Sequence, residues 1–190
     1  THWTTFGQGV LIFAVQMVNF PILPGVSGYF FGGALAAILV GPYTGALCIA
    51  IVLIVQSLLF ADGGISALGT NITNMALIGV AAGYATALGI VSVLRRTRGG
   101  PPARTLGAAS FAAGLVGTVC AATGFVIEFA IGGAAPVSLG SVAAYMLFTH
   151  VLIGIGEGAI TALTVMAVAR ARPDLVYLLR TDRAEAQVAA

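Results

Sequence analysis

The sequence contains no lysine. Only 7% of its 190 residues are charged, where a soluble domain carries about a quarter, so water is not the solvent this chain is built for. Cysteine is almost silent. Cys48 and Cys120 lie inside apolar runs without a CxxC partner and read as small buried residues, which excludes a disulfide framework or a zinc site. No GxxxxGK(S/T) phosphate loop occurs, so any ATP hydrolysis must come from another subunit. There is no His/Asp/Glu cluster at metalloprotease spacing and no Ser–His pairing, and the chain is expected not to be an enzyme. No basic segment precedes the first apolar run, so the first residues are not expected to be a signal peptide, and nothing in the charge pattern points to nucleic acid.

Apolar residues make up 59% of the chain, with a mean hydropathy of +1.05. A bilayer core of about 30 Å needs about 20 apolar residues per helix, so this length allows about six spans and no second domain. Six runs are visible: 7–23, 27–40, 43–60, 66–94, 105–131 and 138–169. Pro21, Pro24 and Gly25 end the first, and Gly41-Pro42 ends a short second run. The expectation is an all-α polytopic bundle over residues 1–172, followed by a polar cytoplasmic tail over 173–190.

All eight basic residues are arginines in two places: Arg95, Arg96, Arg98 and Arg104, then Arg170, Arg172, Arg180 and Arg183. Basic residues accumulate on the cytoplasmic side, and two intervening spans return the chain to one face, so the clusters agree. The expected topology puts the C-terminus, the Tyr43 turn and Thr1 inside, with 21–28 and 61–71 outside. Gly28/Gly32, Gly79/Gly83 and Gly154/Gly158 each stand four apart, a spacing that serves internal helix packing or a docking face for another membrane subunit.

Ionisable groups inside a membrane are costly and mark paired or functional positions. His150 and Glu157 are seven apart, two helical turns, and share a face of the last span. Each either bonds to a neighbouring helix or touches substrate. Glu128 reads as a solvated helix end. A second polar set gathers on the outer side: Gln16, Asn19, Ser27, Tyr29, Gln56, Asp62, Asn71 and Asn74. Asn71 and Asn74 share a face of a regular helix, and Asp62 reads equally as a pocket residue or a loop cap. The convergence predicts an outward-facing substrate pocket or its lid, with Asn19, Ser27, Tyr29, Asp62, Asn71, Asn74, His150 and Glu157 as candidates.

Five blocks carry a family resemblance: QMVNFP from Gln16, SGYFFGGALAA from Ser27, LFADGG from Leu59, LGTNITNMA from Leu68 and HVLIGIGE from His150. In this order they resemble the CbiM/NikM family, the substrate-binding (S) components of energy-coupling-factor (ECF) transporters for cobalt and nickel. The resemblance implies import of Co2+ or Ni2+ across a bacterial cytoplasmic membrane, with no covalently bound cofactor. It also implies a transmembrane T component and two cytoplasmic ATPases as partners, besides membrane lipids. In that family the free N-terminal amine and a His at the second residue bind the ion, ahead of an additional first helix that is not represented here. A further ligand is the His of a Ser-Gly-His block, where this chain has Tyr29. A neutral phenol is a poor substitute for imidazole toward nickel or cobalt. The second reading is therefore a family member diverted to another small ligand or to a structural role in a larger membrane complex.

Overall fold

A computed structural model describes residues 19–23, 26–60, 63–98, 103–133 and 135–180. The first described element is not a helix. Pro21 and Pro24 remove backbone donors that a helix would need, and the chain forms strand β1 (Asn19–Leu23) paired antiparallel with β2 (Val26–Tyr29). The pairing sets Asn19 opposite Tyr29, Phe20 opposite Gly28 and Pro21 opposite Ser27. The expected first span thus ends in a strand, and its residues 7–18 lie outside the described residues.

The second expected span is also not a full crossing. After β2 comes α1 (Gly33–Val40), only 8 residues. At 1.5 Å per residue it covers about 12 Å, under half of a bilayer core. It is apolar all round because it is buried all round, from Gly33 to Leu39. One side, Ala34, Leu35, Ile38 and Leu39, feeds the core shared with Ala87, Val91, Leu106, Ala113 and Val165. The other side, Ala36 and Ala37, packs with Ile49, Leu53, Ala76 and Val80.

Four helical stretches among the described residues are long and apolar enough to cross: Pro42–Leu59, Ile65–Leu94, Thr105–Gly132 and Leu139–Ala171. The first is α2 (Pro42–Leu59), with proline tolerated at its start. The second is composite: a 3-10 turn (Ile65–Ala67), the single turn α3 (Leu68–Asn71), a π segment (Ile72–Gly79) and α4 (Val80–Arg98). The third is α5 (Ala103–Gly132), and α6 (Leu139–Ala171) opens on Ser138, whose hydroxyl accepts the Ser141 N–H at 3.2 Å. The pairs Gly79/Gly83 and Gly154/Gly158 serve internal packing, whereas Gly28 lies in β2 and Gly32 in the turn before α1, so the expected Gly28/Gly32 pair does not share a helix. A Cβ on Gly83 would lie 3.0 Å from the Ala113 carbonyl, and one on Gly154 would lie 2.9 Å from Leu115.

The expected division at residue 173 does not mark where packing ends. Two short 3-10 turns, Pro173–Leu175 and Tyr177–Leu179, fold back under the bundle, and Val176 and Leu178 join its core. The Tyr177 ring lies 6.3 Å from that of Tyr84, with the Arg180 guanidinium 5.6 Å from its centroid. It also closes on Gly41, the hinge between α1 and α2. Gly41 has φ 95° and ψ 158°, a region that excludes side chains, and its would-be Cβ is 3.1 Å from the Tyr177 ring. Gly41→Ala is expected to cost about 1–3 kcal/mol in a detergent unfolding titration, since both the backbone and Tyr177 must yield.

Candidate functional site

The site begins where the backbone stops being helical inside the bundle. Glu157 lies near the middle of the long helix α6 and is 2% exposed. Its Oε1 accepts the backbone N–H of Gly32 at 3.2 Å, and the Phe31 backbone adds a second contact. One residue earlier on α6, Gly156 lies against the Phe30 ring, 2.7 Å from the position of a Cβ. The turn from β2 into α1 is therefore seated at mid-height of the bundle. In hydrocarbon, non-helical backbone survives only where protein buries it or where it lines a polar cavity. From this point α1 runs toward the end that carries Gly41, Tyr177 and Leu106, and the hairpin precedes it in the chain. The arrangement is a re-entrant hairpin followed by a half-helix whose N-terminus, the positive end of its dipole, faces Glu157.

Around it stand the other polar groups. Asn74 belongs to the π segment and is 4% exposed. Its Nδ2 donates to Glu128 Oε2 at 2.8 Å, while its Oδ1 has no partner among the described residues. A Cβ at Gly124 would collide with that Oδ1, so the glycine makes room for the amide. Glu128, half-buried near the end of α5, is thus also a cross-helix acceptor, a partner beyond the solvated end expected from the sequence. Asn71 is half-buried, unlike Asn74. Asn71 closes the α3 turn immediately before the π segment that holds Asn74. Gln56, on the buried stripe of α2 with Ile49 and Leu53, is 1% exposed, and neither amide atom is bonded among the described residues.

His150 continues the bundle-facing stripe of α6, one to two turns beyond Gly154 and Glu157. Its Nδ1 lies 2.7 Å from the Met146 carbonyl oxygen. A carbonyl only accepts, so Nδ1 carries a proton, and in the neutral ring Nε2 is then the nitrogen with the lone pair, the tautomer of a metal-binding imidazole. His150 and Glu157 share a face but engage different partners.

Of the expected pocket residues, the hairpin register brings Asn19 opposite Tyr29, with Ser27 two positions along. Asp62 and Gln16 lie outside the described residues. Among the described residues no three His, Cys, Asp or Glu side chains gather as a cluster able to hold a metal ion. Two participants left no local mark in the sequence: Gly32, the donor to Glu157, and Gly124, which makes room for Asn74.

Comparison with known proteins gives this geometry its context. Residues 6–175 match the family model CbiM, described as the cobalt uptake substrate-specific transmembrane region. A protein of Archaeoglobus fulgidus, named as a fused nickel transport protein NikMN, is 45% identical over 87% of this chain. The match covers 52% of that relative, so the chain spans about half its length. The cobalt transport protein CbiM of Geobacter sulfurreducens is 31% identical over 89% of this chain and 48% of its own. A crystal structure of a truncated transition metal transporter superposes with a TM-score of 0.70 at 26% identity, covering 88% of this chain and 79% of that one. A second transition metal transporter gives 0.64 at 29% identity, covering 88% and 75%. The chain is a multi-pass membrane protein and belongs to the CbiM family of cobalt and nickel transport proteins.

Proposed function

We propose that this chain is the substrate-binding S component of an ECF-type importer for Co2+ or Ni2+, taking the ion from the outer side of a bacterial cytoplasmic membrane. The observation that carries this reading is the re-entrant hairpin with its half-helix, irregular backbone placed at mid-bundle in a family of metal transport proteins. Orientation follows from charge. The arginines at the end of α4 and the start of α5, and those in the last turn of α6 and beyond it, lie at one end of the bundle, where Val91, Leu106, Val165 and Leu178 share a core. By the positive-inside rule that end is cytoplasmic, and the hairpin opens outward. A T component and cytoplasmic ATPases supply the energy, since the chain has no phosphate loop.

Imidazole nitrogen suits nickel and cobalt, and His150 offers one already in the binding tautomer. Asn19, Ser27, Tyr29, Asp62, Asn71 and Asn74 form the surrounding pocket or its lid. Tyr29 in place of the family's His favours a second reading, a diverted member with another small ligand or a structural role. Equilibrium binding of Ni2+ and Co2+ to the full protein in lipid separates the two. The S-component reading expects saturable binding that His150→Ala weakens by about tenfold or more and Tyr29→His strengthens. Absence of binding, together with copurification of unrelated membrane subunits in place of ATPases, would establish the second.

A further inference from the structure

The N-terminus of α1 lacks any cap of its own. Gly32 occupies the N-cap position at φ 66° and ψ 14°, and as glycine it offers no side chain to the first turn. The first bond of α1, from the Ala36 N–H to the Gly32 carbonyl at 2.9 Å, leaves the Gly32 N–H to find its partner elsewhere. That partner is the Glu157 carboxylate, 125 residues away on α6. With Gly156 and Phe30 in contact beside it, one turn of α6 grips the chain immediately after β2.

We infer that Glu157 is a positioning residue which caps α1 in trans and fixes the depth of the hairpin that carries Asn19, Ser27 and Tyr29. The role assigned to the hairpin rests on the S-component reading above; the capping itself does not. Two features separate this role from that of an ion ligand. Oε1 is engaged by backbone N–H, and Gly32 is in the left-handed region, so the junction has the one conformation in which that N–H meets α6. What the position requires is an acceptor at this reach, which an amide oxygen provides as well as a carboxylate.

The test uses the full protein in lipid vesicles, with Cys48 and Cys120 replaced by serine and Ser27→Cys introduced as a reporter. Labelling by a membrane-impermeant maleimide is measured on these proteins, and binding of Ni2+ on the same Glu157 variants without the reporter, because Ser27 belongs to the proposed pocket and a thiol there would itself bind Ni2+. Glu157→Ala should change the labelling rate of the reporter several-fold and weaken Ni2+ binding by about tenfold. Glu157→Gln, which keeps the acceptor, should stay within about threefold of the parent in both. Glu157→Asp, one methylene shorter, should fall between them and serves if the alanine variant does not fold. A glutamine variant that behaves like alanine would overturn the inference, as would an aspartate or a folded alanine variant with unchanged labelling. Labelling contains no metal, so altered labelling without Ni2+ binding in any variant would uphold the capping role and reject the S-component reading.

Discussion

Gly158→Val is expected to prevent the bundle from folding, the largest effect of any single change considered. In lipid there is no hydrophobic drive between helices, and close backbone packing holds them together. α5 and α6 meet backbone to backbone at this level. A Cβ on Gly158 would lie 2.6 Å from the Phe111 carbonyl oxygen and 2.9 Å from its ring, while one on Gly114 would lie 2.7 Å from the Gly158 Cα. Neither backbone can step aside without parting the helices, and Glu157 next in sequence would lose its reach to Gly32. Overpacking a core costs about 1–3 kcal/mol where side chains can shift; here they cannot, and a loss of about 4 kcal/mol or more is expected. Unfolding of the purified variant in detergent checks this. Gly89, which has open space around its would-be Cβ, is the control: Gly89→Ala should be neutral or stabilising by up to about 1 kcal/mol through helix propensity alone. Equal stability of Gly158→Val and the parent protein would mean that α5 and α6 are not this close.

The parts of this structure that are legible in the sequence are those set by local pattern. Apolar length marks the four crossing helices, the arginines mark one end, and the spacing of His150 and Glu157 puts both on one face of α6. Pro21, Pro24 and Gly25 signal a break, but a break does not reveal that the chain pairs with itself and re-enters the bundle. Runs that are apolar all round look the same in a span and in a half-helix, which is why α1 reads as a crossing. The bond from Glu157 to Gly32 closes over 125 residues and leaves no periodic trace, and the same is true of Asn74 with Glu128. Val176 and Leu178 are the instructive case. Their apolar alternation sits among charges that suggest a tail, and only the three-dimensional core shows that they fill a gap beneath α1.

Gln56→Met is expected to make the protein more stable and less active. Gln56 is 1% exposed, on the same stripe of α2 as Ile49 and Leu53, and among the described residues both amide atoms lack partners. Each unpaired buried polar group costs about 1–3 kcal/mol, and methionine has nearly the same length with nothing to satisfy. Removing the amide should therefore raise stability by about 1–3 kcal/mol in the same detergent assay. A stabilising substitution is so readily available at this position that selection for folding alone would favour it, and stability is commonly given up where a group has work to do. Asn74 Oδ1 is in the same condition on the neighbouring π segment, which packs against α2. An unpaired amide at Gln56 and an unpaired amide oxygen at Asn74, in a bundle this apolar, point to a polar visitor, and in the S-component reading the visitor is the ion with its remaining water. Uptake of radiolabelled Ni2+ by vesicles containing the complete transporter should then fall by about tenfold in Gln56→Met, although the protein is more stable. A variant less stable than the parent would show that the amide is satisfied in the membrane, by ordered water. A variant more stable with unchanged uptake would remove Gln56 from the ion's path and leave that role to the hairpin and His150.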